Sequence, residues 1–224
     1  MIYNKNFIVT FVRHAESLGN VGLPYDDEFQ KDDPPLSPAG IMQAQLLAES
    51  PVTDSVSKIY ASTLIRTVQT AYPTAVKLNK KIILLPDLME INTEIPGTEI
   101  SRLEADYPLA VPCISEPSPA GGKLLLGKES VSDRVKRAER CMQFFFNEAT
   151  DGDHLMVVSH GSYFGYLIRA ALGLSLPESF CWQADNCCLT RVIFRADAIP
   201  KLSFANYTGH LQKNNQKQGE YSYG

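Results

Sequence analysis

The chain contains four histidines, and two of them, His14 and His160, stand directly after apolar, strand-like runs at residues 7–12 and 154–158. Each is followed by a very small residue, Ala15 or Gly161, which lets substrate or backbone approach closely. Ligands of open α/β sheets bind at the carboxyl ends of strands, so two neighbouring strands would bring both imidazoles to one rim. Arg13, beside His14, and Arg66, in the segment Ser62-Thr63-Leu64-Ile65-Arg66-Thr67, add planar guanidinium donors that suit phosphate oxygens. Imidazoles and guanidiniums on one rim would make an anion or phosphate site. Two other readings use the same residues. The histidines can be hydrogen-bonded members of the fold with solvated arginines nearby, or they can form a metal pair with Glu90 as a third ligand.

Positioning these groups requires a particular set of elements. Residues 7–12, β-branched and aromatic, read as a buried strand, and the acidic, proline-containing run 26–35 as loop. Ser37 offers an N-cap, Pro38 the first helical position and Leu36 a hydrophobic staple, so a helix is predicted over 38–49. A second strand is predicted over 56–61. Next, Leu64, Val68, Ala71 and Tyr72 recur at helical spacing, with Pro73 limiting the regular end of that helix. Residues 82–85 make a third strand, closed by Pro86.

From residue 90 to 130 regular period is lost and proline and glycine accumulate, which predicts an irregular cap over the site at about 91–130, interrupted by a short helix over 99–107. Lys123 and Lys128, within it, are candidates to meet a second anionic group on a substrate. Ser130 with Asp133 opens a long helix over 131–148. A strand at 154–158, a helix over 162–172 stopped by Gly173, and strands at 188–194 and 202–207 complete the pattern. Strands and helices alternate, so the expected fold is α/β: a mostly parallel central sheet flanked by helices on both faces. One domain is expected over residues 1–209, with a polar, flexible tail at 210–224.

Composition narrows the classes of partner. Apolar residues make up 44% and charged residues 21%, ordinary for a globular protein. The formal charge of −4 arises without long runs of either sign, so neither nucleic acid nor an anionic membrane is expected as a partner. The most apolar later stretch, 155–174, holds His160, Gly161 and Arg169 and changes period midway, as a strand followed by a helix would. The first residues carry no signal-peptide pattern. Five cysteines without a paired C-x-x-C spacing, Cys187 and Cys188 being adjacent, suggest a reduced, cytoplasmic protein.

The run Val12-Arg13-His14-Ala15-Glu16-Ser17-Leu18-Gly19-Asn20 resembles the signature of the histidine phosphatase superfamily, in its phosphoglycerate-mutase-like branch. That branch usually has Arg-His-Gly, then Glu, Ser and, two residues on, Asn. Supporting segments are Leu36-Ser37-Pro38-Ala39-Gly40 with Gln43 and Ala44, Ser62 to Thr67 with Thr70 and Ala71, Leu88-Met89-Glu90, Val158-Ser159-His160-Gly161, and the late Asn186. Each block is weak by itself; their shared order, over residues 9–90 and 153–194, is specific. Ala15 replaces the usual Gly, which is tolerated where the backbone is not left-handed.

The resemblance implies that His14 is the nucleophile, that Arg13, Arg66 and His160 form the phosphate pocket, and that Glu90 protonates the leaving oxygen and then activates water. Ser17 and Asn20 are expected to position substrate, although both also suit local capping. The implied activity is metal-independent hydrolysis of a phosphomonoester through a phosphohistidine, with no cofactor. Phosphoglycerate mutases of the branch follow the glutamate with a basic and aromatic run, whereas residues 91–97 lack one. Mutase-type phosphotransfer and an inactive phospho-ligand scaffold stand as alternatives. A phosphorylated small molecule is the expected partner, and a homodimer is compatible with the sequence.

Overall fold

Along the first strand, Phe7, Val9 and Phe11 pack into one buried cluster and Val12 into another; along a later strand Leu155 and Val157 divide from Met156 and Val158 in the same way. Alternation with both sets buried means a sheet covered on both faces. The computed structural model describes residues 4–25, 33–93, 97–113, 127–175 and 182–212. In chain order its elements are β1 (Phe7–Arg13), α1 (Leu18–Val21), α2 (Pro38–Glu49), β2 (Lys58–Ala61), α3 (Ile65–Leu78), β3 (Ile82–Leu84), α4 (Ile100–Asp106) and β4 (Ala110–Pro112). There follow α5 (Val131–Glu148), β5 (His154–Ser159), α6 (Gly161–Leu172), β6 (Leu189–Phe194) and β7 (Lys201–Tyr207).

The strands form one seven-stranded sheet in the order β4-β3-β2-β5-β1-β6-β7. β1 pairs parallel with β5, β5 with β2, β2 with β3 and β3 with β4, while β6 and β7 are antiparallel. One face packs against α5 and α6 through Phe145, Phe164 and Leu167, and the other against α2 and α3 through Leu47, Val68 and Ala71. Among the described residues, no helix is long and apolar enough to cross a membrane.

The two helices with the strongest local signals have the predicted limits. Ser37 Oγ accepts from the Gly40 amide at 3.0 Å to start α2, and Ser130 with Asp133 forms a capping box at α5. Three segments differ from expectation. α3 runs on through Pro73, because Thr67, Val68, Thr70, Ala71, Thr74 and Ala75 form a buried stripe spanning that position. Packing on both sides of the proline outweighs the single hydrogen bond it removes. Within the expected irregular cap, the short helix predicted over 99–107 is present as α4, but the parallel edge strand β4 that follows it was not expected; Pro112 is compatible there because an edge strand leaves one row of amides unpaired. His210 and Leu211, expected at the start of the tail, lie in a 3-10 turn (Gly209–Leu211), with Leu211 packed against the α2–α3 side of the core. Lys123 and the proline–glycine cluster before it fall outside the described residues.

Gly40 marks the closest approach between the first strand's outgoing loop and α2: a Cβ there would lie 1.9 Å from the Glu16 carbonyl oxygen. That carbonyl accepts from Ser37 N at 2.9 Å, while Glu16 N donates to Gln43 Oε1 at 2.9 Å and Ser37 Oγ to Glu16 Oε1 at 2.6 Å. Glu16 thus ties the loop to α2. Gly40→Ala is expected to lower unfolding stability by about 2 kcal/mol or more, since backbone meets the new methyl and must move. Urea titration of wild type and variant checks this; equal midpoints would show that α2 yields freely.

Candidate active site

The parallel register between β1 and β5 sets Arg13 opposite Ser159, so the next residue of each strand is a histidine on the same rim. His14 N continues the ladder by donating to Ser159 O at 2.9 Å, and the two imidazole centroids are 5.2 Å apart. His14 is buried, and its Nδ1 lies 2.8 Å from the Ala15 carbonyl oxygen. A carbonyl can only accept, so this contact assigns the ring proton to Nδ1 and leaves the Nε2 lone pair unprotonated. Burial first, then the Arg66 charge, holds His14 well below the usual imidazole range; the Ala15 carbonyl acts the other way. The ring is therefore neutral near pH 7.

Ala15 is not among the described residues with positive φ, and its side chain is fully buried. Its N–H donates to Thr70 Oγ1 at 2.9 Å, and Thr70 in turn donates to the Arg66 carbonyl at 2.7 Å. One threonine thus fastens the His14 loop to the helix that carries Arg66. His160 is completely buried, with Nε2 2.7 Å from Ser62 Oγ and no protein partner on Nδ1 among the described residues. Burial, Arg66 and His14 lower its pKa well below the ordinary value.

Arg13 reaches across Gly161, where a Cβ would come within 3.0 Å of its Nε, and donates from Nη1 to the Ala184 carbonyl at 2.5 Å. The small residue after His160 is what admits this guanidinium. Arg66 lies at the start of α3 with Nη1 3.4 Å from Asp33 Oδ1. Asp33 Oδ2 accepts from Ile65 N, Thr98 N and Thr98 Oγ1 at 2.9, 2.9 and 2.7 Å, so this buried carboxylate orients the arginine and joins three segments. Burial lowers the pKa of Arg66 and Asp33 opposes this; the group stays a cation.

Glu90 accepts from the Ile91 amide at 2.9 Å through one carboxyl oxygen and from Ser162 N, at the start of α6, at 3.1 Å through the other. Two backbone donors define its orientation. Ser17 caps α1, donating from both N and Oγ to Asn20 Oδ1 at 3.1 Å. Asn186 Nδ2 donates to the same Asn20 oxygen at 3.0 Å and toward the His14 carbonyl at 3.4 Å. Arg13, His14, Ser17, Asn20, Arg66 and Glu90 all line one open cavity of about 780 Å³, with His160 packed behind His14. The structure thus brings together the residues expected to form the phosphate and proton-transfer site, but not the two cap lysines. Lys128 is exposed and does not line this cavity.

Several residues that support the site carried little or no sequence signal. Ser62 and Thr70 sit inside motif blocks but gave no sign of their partners. Asp33 was one of several acids in a loop. Arg137, a lone arginine in a helix, is 1% exposed; it donates to the carbonyls of Asp87 and Met89 at 2.9 and 2.7 Å, pairs with both oxygens of Glu129, and stacks 3.7 Å from the Tyr163 ring centre. It holds the strand-end turn immediately before Glu90. His154, by contrast, bonds Thr10 and Ser55 at the opposite end of β5 and serves the fold.

An α/β sheet here gathers two imidazoles, two guanidiniums and a carboxylate at adjoining strand ends, a set of groups suited to an anion. The sequence matches the family model of the histidine phosphatase superfamily (branch 1) over residues 9–207, and the chain belongs to that superfamily. A relative named probable phosphoglycerate mutase GpmB, from Photorhabdus laumondii, is 29% identical over 188 residues, covering 84% of this chain and 85% of that protein. Among solved structures, a phosphoserine phosphatase mutant from Entamoeba histolytica in complex with phosphoserine aligns with a TM-score of 0.63 at 23% identity, over 92% of this chain and 100% of that one. The ecdysone phosphate phosphatase of Bombix mori, in complex with tungstate, aligns with a TM-score of 0.65 at 19% identity, over 96% and 97%. At these identities the structural likeness establishes the shared fold.

Proposed function

We propose that the protein hydrolyses a phosphomonoester through a phosphohistidine on His14. The observation that carries this reading is the anchored tautomer: Nδ1 bound to the Ala15 carbonyl, Nε2 left as a lone pair in a neutral ring, beside Arg13 and Arg66. Nε2 attacks phosphorus in line, forming the N–P bond as the P–O bond to the leaving group breaks. Glu90, in its carboxylic acid form, gives its proton to the departing oxygen. Arg13 and Arg66 stabilise charge on the equatorial oxygens, and their positions are set in advance by Ala184 and Asp33. His160 shares this task when the Ser62 hydroxyl donates to Nε2 and the ring proton resides on Nδ1. Water then attacks phosphorus, Glu90 takes its proton, and the N–P bond breaks to release phosphate. No step uses a metal or cofactor. The reaction is the net conversion of monoester and water to alcohol and inorganic phosphate.

Water rather than a second substrate hydroxyl is the assigned acceptor, because residues 91–97 lack the basic and aromatic run that follows the glutamate in the mutases this chain resembles. The named mutase relatives make isomer transfer the competing reading. Steady phosphate release from an aryl phosphate in the presence of chelator is expected, with little isomer exchange on phosphoglycerate even with a bisphosphate primer. Efficient primer-dependent exchange would replace the phosphatase assignment by mutase, and tight phosphate binding without turnover would indicate a scaffold.

A further inference from the structure

We propose that the physiological substrate carries a second anionic group, and that Arg134, which lines the same cavity as His14, holds it. This rests on the phosphatase reading and names its substrate class. The cavity, about 780 Å³, is the size of sites that enclose whole metabolites, and a phosphoryl group at His14, Arg13 and Arg66 fills only one part of it. Arg134, in the first turn of α5, also lines it, as do Tyr166 and Trp182.

The guanidinium of Arg134 is held by three segments of chain. Nη1 donates to the Tyr166 hydroxyl at 3.3 Å, and Nη2 donates to Asn92 Oδ1 at 3.0 Å and to the Glu129 carbonyl at 2.8 Å. All three acceptors are neutral. The carboxylate of Glu129, whose carbonyl Arg134 binds, is itself bound through both oxygens to Arg137, and no carboxylate among the described residues lies within ion-pair distance of Arg134. A fixed cation that faces the cavity and has no ion-pair partner of its own among the described residues attracts an anion, and one Nη1 hydrogen is left to donate. The Tyr166 ring, 6.0 Å from the guanidinium carbon, gives the site an aromatic wall for the carbon skeleton between the two anions. The shared chemistry is a carboxylate or a second phosphate; Lys128, exposed and outside the cavity, does not supply the contact.

Matched pairs of substrates test this: phenyl phosphate against 4-carboxyphenyl phosphate, and a sugar monophosphate against its bisphosphate. Wild type is expected to favour the doubly anionic member of at least one pair through a lower KM, and the preference is expected to shrink with added salt. In Arg134→Met the ratio of kcat/KM between the members should fall about 10- to 100-fold, as for loss of a charge-assisted hydrogen bond. Arg134→Lys, which keeps the charge, should restore part of it. The pair that responds distinguishes carboxylate from phosphate. Wild-type turnover of phenyl phosphate with no salt-sensitive preference in either pair, or equal loss on both members in Arg134→Met, overturns the inference and leaves the phosphatase reading standing. No turnover of any substrate would instead remove that reading.

Discussion

Replacing His14 with alanine is expected to lower turnover at least about 10³-fold while phosphate still binds, because the variant loses the attacking nitrogen and keeps the guanidiniums. Arg13 is held by Ala184 and Arg66 by Asp33, neither through His14, so the anion clamp survives the substitution. The same experiment assigns the two histidines. Rapid quenching of wild type with an aryl phosphate should trap an acid-labile, base-stable phosphoenzyme that His14→Ala cannot form. His160→Ala should still form it, but slowly, since Arg13 and Arg66 remain. Label kept in His14→Ala and lost in His160→Ala would reverse the roles. The geometry argues for His14: its Nδ1 has a dedicated carbonyl acceptor, which leaves Nε2 as a free lone pair, whereas the Nε2 of His160 is engaged with Ser62.

The second large effect is expected at Glu90. Glu90→Gln keeps the side chain's size but provides no carboxylic proton, so turnover of alkyl phosphates, whose leaving oxygens need protonation, should fall about 10²- to 10⁴-fold. Nitrophenyl phosphate should lose much less. The structure refines this expectation. Both carboxyl oxygens accept a backbone N–H, from Ile91 and from Ser162, whereas an amide offers one oxygen and one NH2. A glutamine there sets donor against donor at one of the two positions and shifts slightly, which costs every substrate alike. The difference between leaving groups, not the size of either loss, therefore measures proton donation. Equal losses on alkyl and nitrophenyl phosphates would make Glu90 a residue that positions substrate and no general acid.

Much of the fold was legible because its strongest signals are local. Ser37 with Pro38 and Ser130 with Asp133 satisfy the first amides of their own helices, so α2 and α5 begin and end where the sequence places them. The alternation of Phe7, Val9 and Phe11 against Val12 requires a strand buried on both faces whatever lies beside it. By contrast, α3 continues through Pro73 and β4 forms at the sheet edge on the strength of neighbours distant in sequence, which no local pattern of a three-residue strand or a proline-containing helix can announce.

The site divides the same way. By itself the sequence determined which chemical groups exist and where along the chain they fall: His14 and His160 after apolar runs, Arg13 beside His14, Arg66 near a helix start, Glu90 after a strand. Only the tertiary structure decided that β1 and β5 are parallel neighbours in the register that joins the two histidines, that the Ala15 carbonyl accepts from His14 Nδ1, and that Asp33, Ser62 and Arg137 hold Arg66, His160 and the Glu90 turn. Residue type and spacing along one chain report covalent neighbours and helical or strand period. Protonation state, orientation and uncompensated charge depend on atoms brought within a few ångströms by chain closure, and those are properties of the folded molecule.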